Sequence, residues 1–406
     1  MEEQEITYSA IIPLIGGMVM GAKAATGKDP EYIVSYDAFA GNDAHTRENF
    51  DVPFGLIQDS DDVVWDRKMD LKKVDFVVSL CPCAGLSALN SSTKEGSEKK
   101  RGSDAIQNDW MYKSSRFVLE HIQPRVLWGE NAPGLFTNMG AGVVEKLRAI
   151  AKEYGYSFSM VKTSTVLHGI PQKRDRSFYF FWDNETAPYM KYTKAATIST
   201  ADYLKQIPAD ASYQNEFNQG SRLSDDPLVQ WVTQVEKKSL SEIADAGHKT
   251  LLLYLFSSGK VDAAIEYLRT REDKPAQAHL RLLERAKVKK VWDSTPHLLS
   301  SNDPSMAVVG RLFQLGVHPS GERWLNVREY MHMMGIPHNY KLAHKGFANI
   351  TQNVPVNTAR DWTYQVLEYI KGNLEFSNSD FIKQNNYKQS EEQTEDKTSI
   401  KNTALF

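Results

Sequence analysis

Short apolar runs alternate with helix-like segments through the first half of the chain. The runs are rich in β-branched and aromatic residues and are bounded by turn residues, a pattern typical of buried strands. They are YSAIIPLI, EYIVSYD, VDFVVSL, QPRVLWGEN and RSFYFFW. Between the first two runs, GGMVMGAKAATG begins and ends with glycine and predicts a turn followed by a short helix. This alternation predicts an α/β fold built on a doubly wound sheet.

The hydrophobic pattern changes after about Tyr189. Helical periods and basic clusters such as RLLERAKVKK replace the strand and helix units of the first half. Beyond Phe376 the chain is polar and nearly free of aromatic residues, which is typical of a disordered tail. We therefore predict a large domain interrupted by a smaller one and followed by a tail. The predicted bounds are 1–188 and 303–375 for the large domain, 189–302 for the smaller domain and 376–406 for the tail.

Composition narrows the class of protein. A chain of 406 residues with 41% hydrophobic residues exceeds what one core usually fills, which agrees with two domains. Its two cysteines cannot form a disulfide framework or a four-thiolate zinc site, and we predict no metal. The acidic start MEEQEITYSA lacks the regions of a signal peptide, and no apolar run is long enough to span a bilayer. These features predict a cytoplasmic protein with no membrane partner.

Both cysteines lie in SLCPCAGLS, directly after the apolar run VDFVV. Cys83 follows a proline in a turn, where loop amides and nearby cations are expected to lower the pKa of its thiol. Cys81 lies nearer the buried strand and is expected to behave as a small apolar side chain. Cys83 is therefore the candidate nucleophile.

Polar residues also end the later runs. Glu130 closes the run RVLWGEN, and a partly buried carboxyl there could carry a proton and donate it. Gln172, Arg174 and Arg176 stand at alternate positions leading into RSFYFFW, so their side chains project on one face and suit phosphate or carbonyl oxygens. Open α/β sheets bind ligands at the carboxyl ends of their strands, so we expect these residues to converge.

In this order the segments resemble the motifs of the cytosine-5 DNA methyltransferases. CPCAGLS, ENAPGL and PQKRDRSF resemble the Pro-Cys, Glu-Asn and Gln-x-Arg-x-Arg motifs of that family. HPSGERWLNVREYMHMMGIPHNY and NITQNVPVNTARDWTYQVLEYI resemble its last two motifs. The resemblance spans about Ala10 to Ile370, with a variable region between. It implies the Rossmann-like mixed sheet of the S-adenosylmethionine-dependent methyltransferases, with 189–302 as a target-recognition domain.

The resemblance implies a covalent mechanism. Cys83 would add to carbon 6 of cytosine and make carbon 5 electron-rich enough to accept a one-carbon group. Glu130 would meet the ring at N3 and Arg176 at O2, while Arg174 would hold the backbone phosphate or its neighbours. The target base must leave the duplex, so the implied partner is double-stranded DNA with a flipped-out cytosine.

The family binds S-adenosylmethionine at its glycine turn, and the resemblance carries that cofactor here. Asp37 follows the turn by about 20 residues, the spacing of a ribose-binding acid. Asp59 matches the acid that faces the adenine amino group. The implied cofactor-binding residues are Ile12, Leu14, Gly16, Gly17, Asp37, Ala38, Asp59, Ser60, Gln352 and Asn353.

The sequence departs from the family around this donor site. The usual Phe-x-Gly-x-Gly-Gly is Ile12 to Gly17 here, which loses the ring that packs on adenine and places Leu14 where a glycine is expected. Ala38 stands where a bulky residue often covers adenine, and Gln352 and Asn353 belong to an altered last motif. One interpretation is a methylating enzyme with compensating changes. The alternative is another donor, such as a modified S-adenosylmethionine, or methylenetetrahydrofolate giving hydroxymethylcytosine.

A local basic cleft is needed to hold DNA, because the net charge of -3 gives no overall attraction. The predicted DNA-binding residues are Ser87, Lys99, Lys100, Arg101, Gln172, Arg281, Arg285 and Lys289. We predict a monomer acting in the cytoplasm of a bacterial or phage-infected cell. Two alternatives are a catalytically silent DNA-binding relative and an RNA cytosine methyltransferase. The first is opposed by the retained Cys83, Glu130 and Arg176, and the second by the lack of that branch's Cys-Phe-Thr motif.

Overall fold

The structure is a computed structural model. It describes residues 5–58, 61–87, 102–208, 222–289, 291, 293–309, 315–343 and 347–387. The strands in chain order are β1 (Tyr8–Ile11), β2 (Ile33–Tyr36), β3 (Phe54–Ile57), β4 (Val63–Trp65), β5 (Phe76–Leu80), β6 (Val126–Asn131), β7 (Ser157–Ser164), β8 (Gln172–Lys173), β9 (Asp175–Trp182), β10 (His297–Leu298), β11 (Ser305–Met306), β12 (Gly316–Val317) and β13 (Phe381–Asn385).

Helices connect and flank these strands. In chain order they are α1 (Gly17–Thr26), α2 (Ala40–Asn49), α3 (Asp109–Phe117), α4 (Ala141–Glu153), α5 (Thr200–Leu204), α6 (Pro227–Gln230), α7 (Leu240–Asp245), α8 (Leu251–Ser257), α9 (Val261–Arg269), α10 (Lys274–Val288), α11 (Val327–Met333) and α12 (Val356–Ile370). No helix within the described ranges has the length and apolar character needed to cross a bilayer.

A nine-stranded sheet organises the molecule, in the order β13-β7-β9-β6-β5-β1-β2-β3-β4. Strands β6, β5, β1, β2 and β3 run parallel to one another, whereas β9 is antiparallel to both β6 and β7, and β4 is antiparallel to β3. The strand order reverses direction around β1, from which the chain first winds toward β3 and then toward β7. This arrangement confirms the predicted doubly wound, mixed α/β sheet.

The predicted strands are present as β1, β2, β5, β6 and β9. Their side chains are buried along almost their whole length, as expected for strands covered on both faces. The predicted turn and helix are also present, since α1 ends at Gly27, whose φ of 74° is left-handed. The sequence indicates these elements because their apolar runs are continuous.

A second hydrophobic cluster lies apart from the core around the sheet. It is built from residues between Leu223 and Val317, which come mainly from helices α6 to α10. The first cluster includes Met190 and Leu204, which precede this second core along the chain. The helical content expected after Tyr189 is therefore confirmed, whereas the domain bounds at 189 and 302 stay a prediction.

The expected disorder beyond Phe376 is wrong for the residues up to Tyr387. Strand β13 pairs in parallel with β7 along its whole length. The carboxamide of Gln384 accepts from the backbone N–H of Met190 at 2.9 Å and donates to its carbonyl at 3.0 Å. Polar side chains thus satisfy the backbone here, which hydropathy does not reveal. Residues 388–406 lie outside the described part of the chain.

Candidate active site

Three predicted residues meet at one edge of the sheet. Leu80, at the end of β5, lies beside Glu130 of β6, and the turn with Cys83 follows directly. Strand β9 runs in the opposite direction, so its first residues lie at the same edge, where Ser177 lies beside Asn131. The antiparallel direction of β9 therefore brings Arg176 to the carboxyl ends of β5 and β6.

Glu130 and Arg176 form a close ion pair. Arg176 Nε lies 2.6 Å from Glu130 Oε1, and Arg176 Nη1 donates to the Asp175 carbonyl at 2.7 Å. Glu130 is buried, and the contact is not aligned as a hydrogen bond, so Oε1 has no hydrogen-bond partner among the described residues. Burial raises the pKa of Glu130, and the arginines at 176 and 174 oppose the rise. The carboxyl is thus suited to carry a proton, as expected.

The thiol of Cys83 is half-buried in the turn after β5. Burial raises its pKa, the charge of Glu130 raises it further, and Arg176 and Arg174 oppose this. The expectation that the turn lowers the pKa is therefore wrong for the protein alone. The physical reason is that desolvation outweighs guanidinium charges that are partly balanced by Glu130. Burial thus favours the protonated thiol over the thiolate in the protein alone.

Cys81 is fully buried, as expected from its place near the strand. Its sulfur lies 3.5 Å from Ser79 Oγ and 3.3 Å from Ser114 Oγ, within the main hydrophobic core. Burial raises the pKa of this thiol as well. Cys81 therefore packs in the core, whereas Cys83 faces the site.

Arg174 does not occupy the position that its predicted phosphate contact requires. Its side chain is 1% exposed, and its guanidinium donates to the carbonyls of Val308 at 2.8 Å, Thr351 at 2.6 Å and Asn353 at 3.1 Å. Burial lowers the pKa of Arg174 to about 9. A phosphate contact is therefore wrong for this structure. Arg174 instead joins separate backbone segments behind Cys83 and Glu130.

Gln172 is likewise buried rather than available to DNA. Its Nε2 donates to the Met333 carbonyl at 2.8 Å, and its Oε1 accepts from the Val308 N–H at 3.0 Å. Strand β8, which contains Gln172, pairs with β11. The predicted DNA contact is therefore wrong, because both ends of the carboxamide are already bonded within the protein.

The turn before α1, which was predicted to bind the methyl donor, has a left-handed backbone even at positions that are not glycine. Gly16 has φ of 84°, but Ile12 and Leu14 also have positive φ, at 52° and 50°. Such conformations are costly for residues with a branched or bulky side chain, by about 1–3 kcal/mol each. Leu14 therefore adopts the kind of backbone conformation that the expected glycine would adopt freely.

Side chains from two other segments hold this strained turn. The Leu14 N–H donates to Asp43 Oδ1 at 3.0 Å, and Thr46 Oγ1 donates to the Leu14 carbonyl at 2.7 Å. Tyr340 donates from its hydroxyl to the Ile15 carbonyl at 2.7 Å. The roles of Asp43, Thr46 and Tyr340 were not predicted, because nothing local in the chain indicates that these residues reach the turn.

Asn353 brings the last predicted motif to the first. Its Oδ1 accepts from the Gly17 N–H at 2.8 Å, and a Cβ on Gly17 would lie 2.2 Å from that oxygen. Asn353 is 1% exposed, and its Nδ2 has no hydrogen-bond partner in the ranges that the structure describes. A buried N–H donor beside a helix N-terminus fits an anionic group such as the carboxylate of S-adenosylmethionine. The residues present therefore fit this cofactor.

Asp37 and Ala38 are exposed just beyond β2. The neighbouring rings of Tyr36 and Phe39 lie 5.1 Å and 4.8 Å from the ring of Trp110, which belongs to α3. Sequence analysis missed Trp110, since no motif surrounds it. Gln352 is exposed, and Asp59 and Ser60 lie outside the described residues.

For the remaining predicted DNA-binding residues, the structure gives a position and an exposure but no contact with DNA. Arg281 and Arg285 are exposed on α10, Lys289 is exposed just after it, and Ser87 is half-buried. Lys99, Lys100 and Arg101 fall outside the described part of the chain. Their contact with DNA stays a prediction.

The sheet and its ligand edge define the fold of the S-adenosylmethionine-dependent methyltransferase type. Residues 14–368 match the model of a family described as C-5 cytosine-specific DNA methylase. The chain belongs to this family.

Known proteins resemble the chain at moderate distance. A crystal structure of a candidate DNA modification methyltransferase from an Escherichia coli prophage matches with a TM-score of 0.55 and 16% identity, over 90% of this chain and 99% of that one. Entamoeba histolytica methyltransferase EhMeth matches with a TM-score of 0.53 and 10% identity, over 91% and 99%. At such identities these structures support the fold alone.

Two curated relatives are bacterial Type II methyltransferases. M.Bpa9945I of Bacillus paralicheniformis is 23% identical over 69% of this chain, and M1.BsuMI of Bacillus subtilis is 30% identical over 28%. The matched part of the chain spans 66% of the length of the first relative and 24% of the second.

Proposed function

We propose that this protein is a DNA (cytosine-5)-methyltransferase, which transfers a one-carbon group to carbon 5 of a flipped-out cytosine in double-stranded DNA. The observation that carries the proposal is the meeting of Cys83, Glu130 and Arg176 at the carboxyl ends of β5 and β6. Membership of the C-5 cytosine-specific DNA methylase family supports it. The names of its Type II methyltransferase relatives support it as well.

Covalent addition explains why these side chains are needed. Cys83 gives its proton to water and forms a bond from sulfur to carbon 6, while Glu130 donates a proton to N3, which leaves an enamine with a nucleophilic carbon 5. After carbon 5 accepts the one-carbon group, water takes the carbon-5 proton, sulfur leaves carbon 6 with the bonding electrons, and the N3 proton returns to Glu130. Protonation of the released thiolate by water regenerates the thiol.

The arginines differ in their roles. Arg176 has a side chain that is 15% exposed, so its guanidinium can reach the O2 atom of a base entering beside Glu130. Arg174 contacts backbone carbonyls instead, and it acts as a positioning residue for the segments around Val308 and Asn353.

S-adenosylmethionine, when bound, supplies an electrophilic methyl group. Asn353 Nδ2 and the turn before α1 would hold its amino-acid end, and Asp37 would hold its ribose. Leu14, buried in place of the expected glycine, favours a second candidate, the same cytosine chemistry with a modified S-adenosylmethionine or methylenetetrahydrofolate. Mass spectrometry of nucleosides from the modified DNA distinguishes the donors by the mass added.

The same proposal places target recognition in 189–302, where the exposed Arg281 and Arg285 would contact phosphates. It also includes a monomeric protein acting in the cytoplasm of a bacterial or phage-infected cell.

Duplex DNA containing 5-fluorocytosine tests the proposal, because fluorine blocks the final elimination and traps the covalent product. We expect the protein to form a donor-dependent adduct that survives denaturation. Cys83→Ser should abolish it, whereas the matched control Cys81→Ala should retain it, since Cys81 packs in the core. DNA binding without an adduct for any donor would instead support a silent relative, and an adduct with tRNA alone an RNA methyltransferase.

A further inference from the structure

An aromatic cluster lies at the edge of the sheet where the donor is proposed to bind. Trp110 belongs to the first turn of α3, and its ring contacts those of Tyr36 and Phe39, with centroids 5.1 Å and 4.8 Å apart. Tyr36 ends β2, and the exposed Asp37 follows it directly. The cluster therefore adjoins the acid proposed to hold the ribose.

The topology places this cluster at the carboxyl edge of the sheet. Helix α3 lies between the parallel strands β5 and β6 along the chain, so its N-terminus lies at the carboxyl edge of the sheet. Tyr36 is the last residue of β2, so its ring contact with Trp110 joins α3 to the end of that strand. Trp110 therefore lies at the carboxyl edge of the sheet, beside the end of β2.

The exposures of the three rings differ in a way that suits a binding surface. Tyr36 and Phe39 are buried and fix the position of the third ring, whereas Trp110 is only half-buried. The Lys113 ammonium lies 5.3 Å from the Trp110 ring centroid, but that lysine is exposed and can move aside. A flat heteroaromatic group can therefore reach Trp110.

The segments after β1 and β2 do not supply the aromatic ring and bulky side chain that the family resemblance predicts against adenine. Ile12 and Ala38 stand where the family resemblance leads one to expect an aromatic ring and a bulky side chain against adenine. Ile12 is fully buried, and Ala38 has no side chain large enough to cover a purine.

We propose that Trp110 is the residue that stacks on the purine of an adenosine-bearing donor, with Asp37 beside it on the ribose. This inference rests on the proposed function and names the residue of this chain that recognises the donor. It favours S-adenosylmethionine over a folate, because an exposed carboxylate beside the ring cluster suits the two hydroxyls of a ribose, which a folate lacks.

Titration of the full chain with S-adenosylhomocysteine, followed by calorimetry, tests the inference without catalysis. We expect Trp110→Ala to weaken binding by about 5- to 100-fold, the usual range for loss of an aromatic stacking partner. Trp110→Phe keeps a ring and should lose only a few-fold. Trp324→Ala, which removes another half-buried tryptophan that packs on the second core, is the matched control and should bind as the parent chain does.

Tryptophan emission gives a second measurement. S-adenosylhomocysteine should quench part of the emission of the parent chain, and Trp110→Phe should lose that change while still binding. Equal affinity of Trp110→Ala and the parent chain would overturn the inference, as would a parent chain that binds methylenetetrahydrofolate and not S-adenosylhomocysteine. The proposed cytosine chemistry has its own contradicting outcome. If no adduct formed through Cys83 while S-adenosylhomocysteine binding still depended on Trp110, the chemistry would be wrong and the inference about Trp110 would stand.

Discussion

At the residue scale, the charge state of Glu130 influences the protonation of Cys83. Burial raises the pKa of both groups, and the charge of Glu130 raises that of Cys83 further. A proton on Glu130 removes that repulsion and so makes the thiolate easier to form. The repulsion is therefore weakest while Glu130 still carries the proton that N3 of an entering base would accept.

Asp43 provides a prediction about pH at the same scale. Burial raises the pKa of this carboxyl to about 7, opposed by Ser35, Leu14 and Arg47, and Oδ2 has no partner among the residues described. Because the folded pKa exceeds the unfolded value, the protonated form stabilises the fold at low pH. That contribution is lost as pH rises through about 7.

We therefore expect Asp43→Asn to gain stability relative to the parent chain as pH rises from 5 to 8, by about 2–3 kcal/mol. The asparagine keeps an oxygen that can accept from the Leu14 N–H. Urea unfolding of both chains at the two pH values measures the change. A stability difference that is the same at both pH values would contradict the assignment.

At the scale of elements, the start of α1 packs at Gly17 against the segment that precedes α12. A Cβ on Gly17 would lie 2.2 Å from both Asn353 Oδ1 and the Val354 carbonyl oxygen. We expect Gly17→Ala to cost about 1–3 kcal/mol by overpacking and to weaken donor binding by displacing Asn353. Thermal unfolding and titration with S-adenosylhomocysteine measure the two effects.

Gly41→Ala is the control for this substitution. Gly41 lies in α2, where a Cβ would meet nothing within 4 Å, so alanine should be neutral or slightly stabilising. If the two variants unfolded alike, the close packing of Gly17 against Asn353 would not be important for stability.

The elements also differ in how far the sequence predicts them. Strands β5 and β6 stand out as continuous apolar runs, whereas β7 carries buried serines such as Ser159, which accepts from Trp182 Nε1 at 2.9 Å. Its polarity is satisfied by a partner far along the chain, which a local pattern cannot show. Trp110 and Asp43 escaped prediction for the same reason. Cys83, Glu130 and Arg176 were predictable because each ends or begins a recognisable strand.

At the scale of the whole molecule, the sheet is completed by a strand from the polar end of the chain. Phe381 of β13 stacks on Phe158 of β7 with ring centroids 6.0 Å apart, and Arg148 lies 4.4 Å above the Phe381 ring. Without β13, the backbone of β7 would be exposed along an edge, where unpaired strands promote association. This strand therefore both stabilises the sheet and protects it.

Two truncations test this role of β13. A chain ending at Glu375 lacks the strand, whereas a chain ending at Tyr387 keeps all the pairing between β13 and β7. We expect the shorter chain to lose at least about 2 kcal/mol of unfolding free energy, from the uncovered aromatic surface and the lost hydrogen bonds, and to aggregate sooner. The chain ending at Tyr387 should unfold as the full chain does. Urea unfolding with light scattering measures both effects, and equal behaviour of the two truncations would show that β13 is dispensable.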